Sequence, residues 1–242
     1  MAGLMWNCEP SMLTFHHGHE LAVRLATYVA RARLLIDPQA GAYLKAAAVL
    51  PATSEEIFFD IEADPLRDVT YLHGFVHRAG ADDTTERFVS FTAENPIAAD
   101  ERAALAGAMA HFAAHPDATI YYYSRYERTM YRKLQARYPE VCSAEEVEAL
   151  FVPPRSVDLY CDVVAKLTEW PTNNHSIKTL AKFLGFRWRD SDPSGAASIE
   201  WYDRWLKEGD RAVLQRILDY NEDDCRATRV LLDGIRALPL RE

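Results

Sequence analysis

Two pairs of side chains in this sequence are spaced to do chemistry together. Asp60 and Glu62 interrupt the apolar run Ile57, Phe58, Phe59 and Ile61. That run has strand length and is rich in aromatic and β-branched residues, which suits a buried central strand. Side chains alternate across a strand, so the two acids share one face. Unpaired anions crowded on a buried face are costly, and a divalent cation between them lowers the cost. The competing reading is a frayed strand end with both carboxylates in water. Far along the chain, Tyr220 and Asp224 stand four apart in LDYNEDDCRATRVLLDGI, residues 218–235. Its apolar spacing through Leu218, Cys225, Leu231, Leu232 and Ile235 is helical, so Tyr220 and Asp224 occupy one helix face. Asp223 points away, and with Glu222 it reads as an ordinary solvated acidic face.

The elements that must position these groups follow from pattern and punctuation. Residues 20–36 carry apolar positions at Leu21, Leu25, Val29 and Ala32, which predicts an amphipathic helix. Asp37-Pro38 then predicts a second helix through Ala48, with Pro51 to Ser54 as a linker. Residues 1–54 are thus expected to form a helical lead-in, and residues 55–242 the domain that carries the acids. Within that domain, strands are expected at Thr70–His77 and Glu86–Thr92 around a turn at Gly80. A helix is expected from Ile97 to His115, a strand at Ala118–Tyr123, a helix at Glu127–Tyr138 and a short strand at Val157–Tyr160. From Cys161 to Leu238 the chain reads as mainly helical, with a polar loop at Asp190–Ala197. Antiparallel strands followed by alternating helices and strands predict an α/β fold with a mixed sheet of five to six strands, flanked by helices.

The chain has 242 residues, enough for a large core. No stretch reaches the apolar length of a membrane span. Residues 1–20 lack a basic head followed by an apolar run, so no secretory leader and a cytoplasmic location are expected. Cys8, Cys142, Cys161 and Cys225 form no Cys-x-x-Cys pair, which argues against a structural zinc site or an iron–sulfur cluster. His16, His17 and His19 lack companion ligands and read as an exposed polar segment. A net charge of −9 is unlike a nucleic-acid binder, but an acidic metal site loses several charges once filled. Local basic clusters are therefore the better guide.

Phe-Asp-Ile-Glu on a first strand, with Tyr-x-x-x-Asp on a late helix, resembles the DEDDy branch of the ribonuclease H-like 3′-to-5′ exonucleases. More narrowly it resembles the YprB-type ribonuclease H-like domain, often found C-terminal to a RecB-like nuclease domain. Tyr121-Tyr-Tyr-Ser-Arg-Tyr-Glu127 occupies the place of the second exonuclease motif. Ser156-Val-Asp-Leu-Tyr160 resembles the segment that follows it, and His175-Ser-Ile-Lys-Thr-Leu-Ala-Lys-Phe-Leu-Gly185 resembles the helix before the last motif. The resemblance covers about residues 55–236. Where the family's second motif has an aspartate, this chain has Glu127, one methylene longer.

The resemblance implies two-metal hydrolysis of phosphodiester bonds in single-stranded or frayed DNA or RNA. Asp60, Glu62, Glu127 and Asp224 would hold two Mg²⁺ or Mn²⁺ ions, the hard cations that oxygen-only ligands suit. Tyr220 would orient the attacking water through its hydroxyl. Basic residues follow the second motif at Arg125, Arg128, Arg132, Lys133 and Arg137, and precede the last helices at Lys178, Lys182, Arg187 and Arg189. Lys178, Arg125 and Arg128 are the expected phosphate contacts, with Tyr123, Tyr126 and Trp188 as stacking surfaces. Arg132 and Arg137 read better as solvated helix positions, and His175 as a capping or packing residue. The rival reading is a weakly active or inactive nucleic-acid-binding module on the same fold, partnering a RecB-like nuclease or a helicase.

Overall fold

The computed structural model describes residues 25, 28–37 and 39–241. Its centre is a five-stranded mixed sheet in the order β4-β3-β2-β5-β6. The strands are β2 (Glu55–Asp64), β3 (Val69–Ala79), β4 (Asp82–Thr92), β5 (Thr119–Tyr122) and β6 (Ser156–Asp158). β2 pairs antiparallel with β3 and parallel with β5, so the acid-bearing strand is central. Gly80 and Ala81 make the β3–β4 hairpin, both with positive φ, a two-residue turn whose twist matches that of its strands.

Alternation along β2 sends its residues to two different cores. Ile57, Phe59 and Ile61 pack with Phe75, Leu105, Phe112 and Tyr131. That layer comes from α1 (Ala98–Ala114), α2 (Tyr126–Arg137) and α3 (Ala144–Leu150). Phe58 packs the other way, with Val76, Tyr121, Leu231 and Leu232. Asp60 and Glu62 have the parity of Phe58 and so face that second layer. It is built from α4 (Ile177–Phe183), α5 (Gly195–Glu208) and the long α6 (Arg211–Ala237). Along α6 the buried stripe Val213, Leu214, Ile217, Tyr220, Asn221, Asp224, Thr228, Leu231 and Ile235 follows the helical period. Its middle third is polar and its ends are apolar.

Two expectations for the lead-in are corrected. Residues 28–36 are helical, but Leu25, Val29 and Ala32 on the expected apolar face are exposed, and Leu34 is buried instead. Leu21 lies outside the described residues, as do His16, His17, His19 and Cys8. The second expected helix, from Asp37 to Ala48, does not form among the described residues of that span. Tyr43–Leu44 forms a short strand, β1, antiparallel to β7 (Thr168–Glu169), and Leu44 also exchanges backbone hydrogen bonds with the C-terminal tail at Pro239 and Arg241. Pairing with two distant segments outweighs a weak local helix preference broken by Gly41. The sequence reading assigned no element at residues 144–150, yet α3 starts there on a capping box. Ser143 Oγ accepts from the Glu146 amide and Glu146 Oε2 accepts from the Ser143 amide. No described helix is long and apolar enough to cross a membrane.

Candidate active site

Asp60 lies opposite Gly74 in the β2–β3 register. The missing side chain at Gly74 leaves the slot into which α6 inserts Asn221. A Cβ at Gly74 would stand 1.6 Å from Asn221 Oδ1 and 2.8 Å from its Cγ. Asn221 Nδ2 donates to Asp60 Oδ2 at 2.8 Å, fixing that carboxylate's orientation. One turn on from Tyr220, Asp224 accepts from Trp188 Nε1 at 2.7 Å on Oδ1. Lys178, from the first turn of α4, reaches Tyr220 Oη at 2.8 Å and Asp224 Oδ2 at 3.3 Å. Its ammonium also lies 4.9 Å from the centre of the Tyr220 ring, a cation–π distance.

Asp60, Glu62 and Asp224 each offer an oxygen, and these atoms all lie within 4.8 Å of one another. With Tyr126, Lys178 and Tyr220 the three acids line a cleft of about 380 Å³. A larger apolar concavity of about 960 Å³ lies between α1 and α3 and contains none of these acids. Burial, then the charges of Asp224 and Glu62, raises the Asp60 carboxyl well above its ordinary value. Three carboxylates crowded away from water form an oxygen-only donor set that fits a hard divalent cation. Glu127 stands apart from the three. It is buried, its Oε2 has no hydrogen-bond partner, and burial raises its carboxyl well above the usual range. Its charge still reaches Asp60.

Burial, reinforced by Asp224, raises Glu62 to about 8. In the unfolded chain the same group titrates near its ordinary 4.5. Between those values the folded, chelator-treated protein holds a proton that the unfolded chain has released. Its stabilising contribution is therefore full below pH 4.5 and is lost as pH rises through 8. Chelator-treated protein should melt roughly 5 °C lower at about pH 8.5 than at about pH 5.5, and Mn²⁺ should cancel most of that difference. Scanning calorimetry at the two pH values checks this. A higher melting temperature at the alkaline end would contradict it.

The basic residues divide. Lys178 enters the site and Tyr126, half exposed, lines its mouth. Arg125 is exposed at the start of α2, outside the cleft lining. Arg128 pairs with Glu148, as does Arg132, which braces α2 against α3. Arg137 bonds Asp68 and Glu101. Trp188 is no stacking surface, being buried with its indole N–H on Asp224. Tyr123 is half-buried and donates its hydroxyl to the His175 carbonyl. Glu222 and Asp223 are not a solvated face. Asp223 is buried, and Arg189 bonds both acids. Sequence reasoning missed Asn221 and Gly74, and it gave Trp188 a different role. Only Asn221 left a trace, as an amide four residues before Cys225 on the buried face of the last helix.

A family model described as the RNase_H superfamily matches residues 57–235, well over half of the chain and inclusive of every acid above. No curated protein and no solved structure matches the chain.

Proposed function

The chain belongs to the ribonuclease H superfamily, and on that footing we propose that it is a divalent-metal-dependent 3′-to-5′ exonuclease of the DEDDy kind. Its substrate is single-stranded or frayed DNA or RNA. The observation that carries this reading is the convergence of Asp60, Glu62 and Asp224 within 4.8 Å of one another, beside Tyr220 and Lys178. Those three acids would hold one Mg²⁺ or Mn²⁺ ion, and Asp60 with Glu127 would serve a second. Bound there, such cations supply the positive charge that offsets charge building on the phosphoryl oxygens and lower the pKa of water.

The chain's own residues set the geometry. Asn221 and Trp188 each fix one oxygen of Asp60 and Asp224, leaving the other oxygen of each to a cation. Burial and the charges of Asp224 and Glu62 push the Tyr220 hydroxyl far above its ordinary value. It therefore keeps its proton at neutral pH and orients water or phosphate rather than acting as a base. Lys178, already engaged with Asp224, can turn its ammonium to a phosphate oxygen. Tyr126 offers an exposed ring at the mouth for a terminal base. A cleft of about 380 Å³ has room for the end of a strand.

Single strands labelled at the 5′ end should give a ladder shortening from the 3′ end in Mn²⁺ or Mg²⁺, and a 3′-phosphorothioate cap should stop it. Cleavage that ignores the cap, or none in either metal, overturns the reading. Tyr220→Phe keeps the ring and removes the hydroxyl. It should lower kcat about a hundredfold with little change in KM. One observation favours the rival, a weakly active binding module: Glu127 lies outside the group formed by the other three acids. Tight strand binding without turnover would support that alternative.

A further inference from the structure

A second convergence of ligating side chains lies at the opposite end of β2. His77 on β3 and His111 and His115 at the end of α1 each offer one ring nitrogen, and the three nitrogens lie within 4.8 Å of one another. His111 and His115 are four apart, so α1 presents both on one face. His77 Nε2 and His111 Nε2 approach to 2.6 Å. Glu55, the first residue of β2, sits behind them. Its Oε1 lies 3.2 Å from His77 Nδ1 and 2.9 Å from His115 Nδ1.

We propose that His77, His111 and His115 form a binding site for a divalent transition-metal ion, Zn²⁺ by ligand type, with Glu55 as the carboxylate that orients two of the rings. Imidazole nitrogens select zinc and its neighbours over Mg²⁺ or Mn²⁺. Zinc binds histidine nitrogens at about 2.0–2.1 Å, which separates tetrahedral ligand atoms by roughly 3.3 Å. One pair of nitrogens stands at 2.6 Å and all three lie within 4.8 Å, so small ring rotations close them around an ion. A carboxylate accepting from Nδ1–H fixes the tautomer that leaves Nε2 with a free lone pair. Glu55 is placed to do this for His77 and His115 together. The His77–His111 contact can hold one proton between two nitrogens, the position an ion would take.

The site is separate from the acid cluster. Asp60 is five residues further along the strand, about 16 Å at 3.3 Å per residue, and its donors are oxygens. An ion here would tie the start of the β2–β3 pair to the end of α1. The cysteine spacing that argues against a structural zinc site has no bearing on histidines brought together from a strand and a helix.

Co²⁺ titration of chelator-treated, full-length protein tests this independently of nuclease activity. One equivalent should give a visible ligand-field band that Zn²⁺ displaces. His111→Ala and His115→Gln should each weaken binding at least about 100-fold, and Glu55→Gln about 10- to 100-fold. Asp224→Asn should leave the band unchanged. Circular dichroism confirms that the variants are folded, and His115→Gln, at a helix end, serves if His111→Ala is not. The proposal fails if the parent gives no band, if folded histidine variants bind like the parent, or if Asp224→Asn abolishes the band.

Discussion

Asp224→Asn is expected to slow strand hydrolysis by about three orders of magnitude, the loss of roughly 4 kcal/mol of transition-state charge stabilisation. The substitution is nearly isosteric, so the loss is electrostatic. Asp224 Oδ1 accepts from Trp188 and Oδ2 faces Lys178. An asparagine that keeps the Trp188 bond must turn its amide N–H toward the Lys178 ammonium, setting donor against donor. The pH dependence of stability should flatten too, because the Asp224 charge is part of what holds Glu62 near 8. Asp223→Asn, one residue away, is the informative control. Asp223 bonds Arg189 through its backbone amide and its guanidinium, so that variant should melt lower yet hydrolyse near the parent rate. Equal rates for Asp224→Asn and parent would place the chemistry elsewhere.

Gly74→Ala is the second large effect, and it acts on a residue with no chemistry of its own. The added methyl would stand 1.6 Å from Asn221 Oδ1 and 3.1 Å from Phe88 Cε2. Asn221 is fully buried on the rigid middle of α6 and cannot swing out of the way. Either the helix lifts from the sheet or the amide leaves Asp60. Overpacking of this kind costs about 1–3 kcal/mol, or roughly 4–10 °C in a chain of this size. Hydrolysis should fall further than stability, because the Asn221 bond to Asp60 is lost. Pairing Gly74→Ala with Asn221→Ala should recover much of the melting temperature without recovering the rate. If the single variant melts and cuts like the parent, Asn221 does not fill the space beside Gly74 and the account of this contact fails.

Much of this was legible because strands and helices impose short periods on a sequence. The two-residue period of β2 places Asp60 and Glu62 on one face whatever surrounds them, and the helical period of α6 does the same for Tyr220 and Asp224. Where the local signal was weak, distant contacts decided. Residues 43–44 became a strand because β7 and the C-terminal tail offered backbone partners. The helix at 28–36 buries Leu34 rather than the expected face.

Basic side chains were the least legible. Arg128 and Lys178 look alike in one dimension, yet one is held by Glu148 and the other reaches Tyr220 and Asp224. A charge is committed by whichever opposite charge lies within a few ångströms, and that neighbour usually comes from another element.

The sequence by itself determined the five strands of the central sheet, the helix that crosses them and the acids each would present. Tertiary structure alone decided that Gly74 admits Asn221 to Asp60, that Trp188 serves Asp224, that Glu127 stands apart and that three histidines meet beside Glu55. Backbone periodicity is a property of neighbours in the chain. Hydrogen bonds and ligand sets are properties of neighbours in space, and no spacing along the chain encodes them.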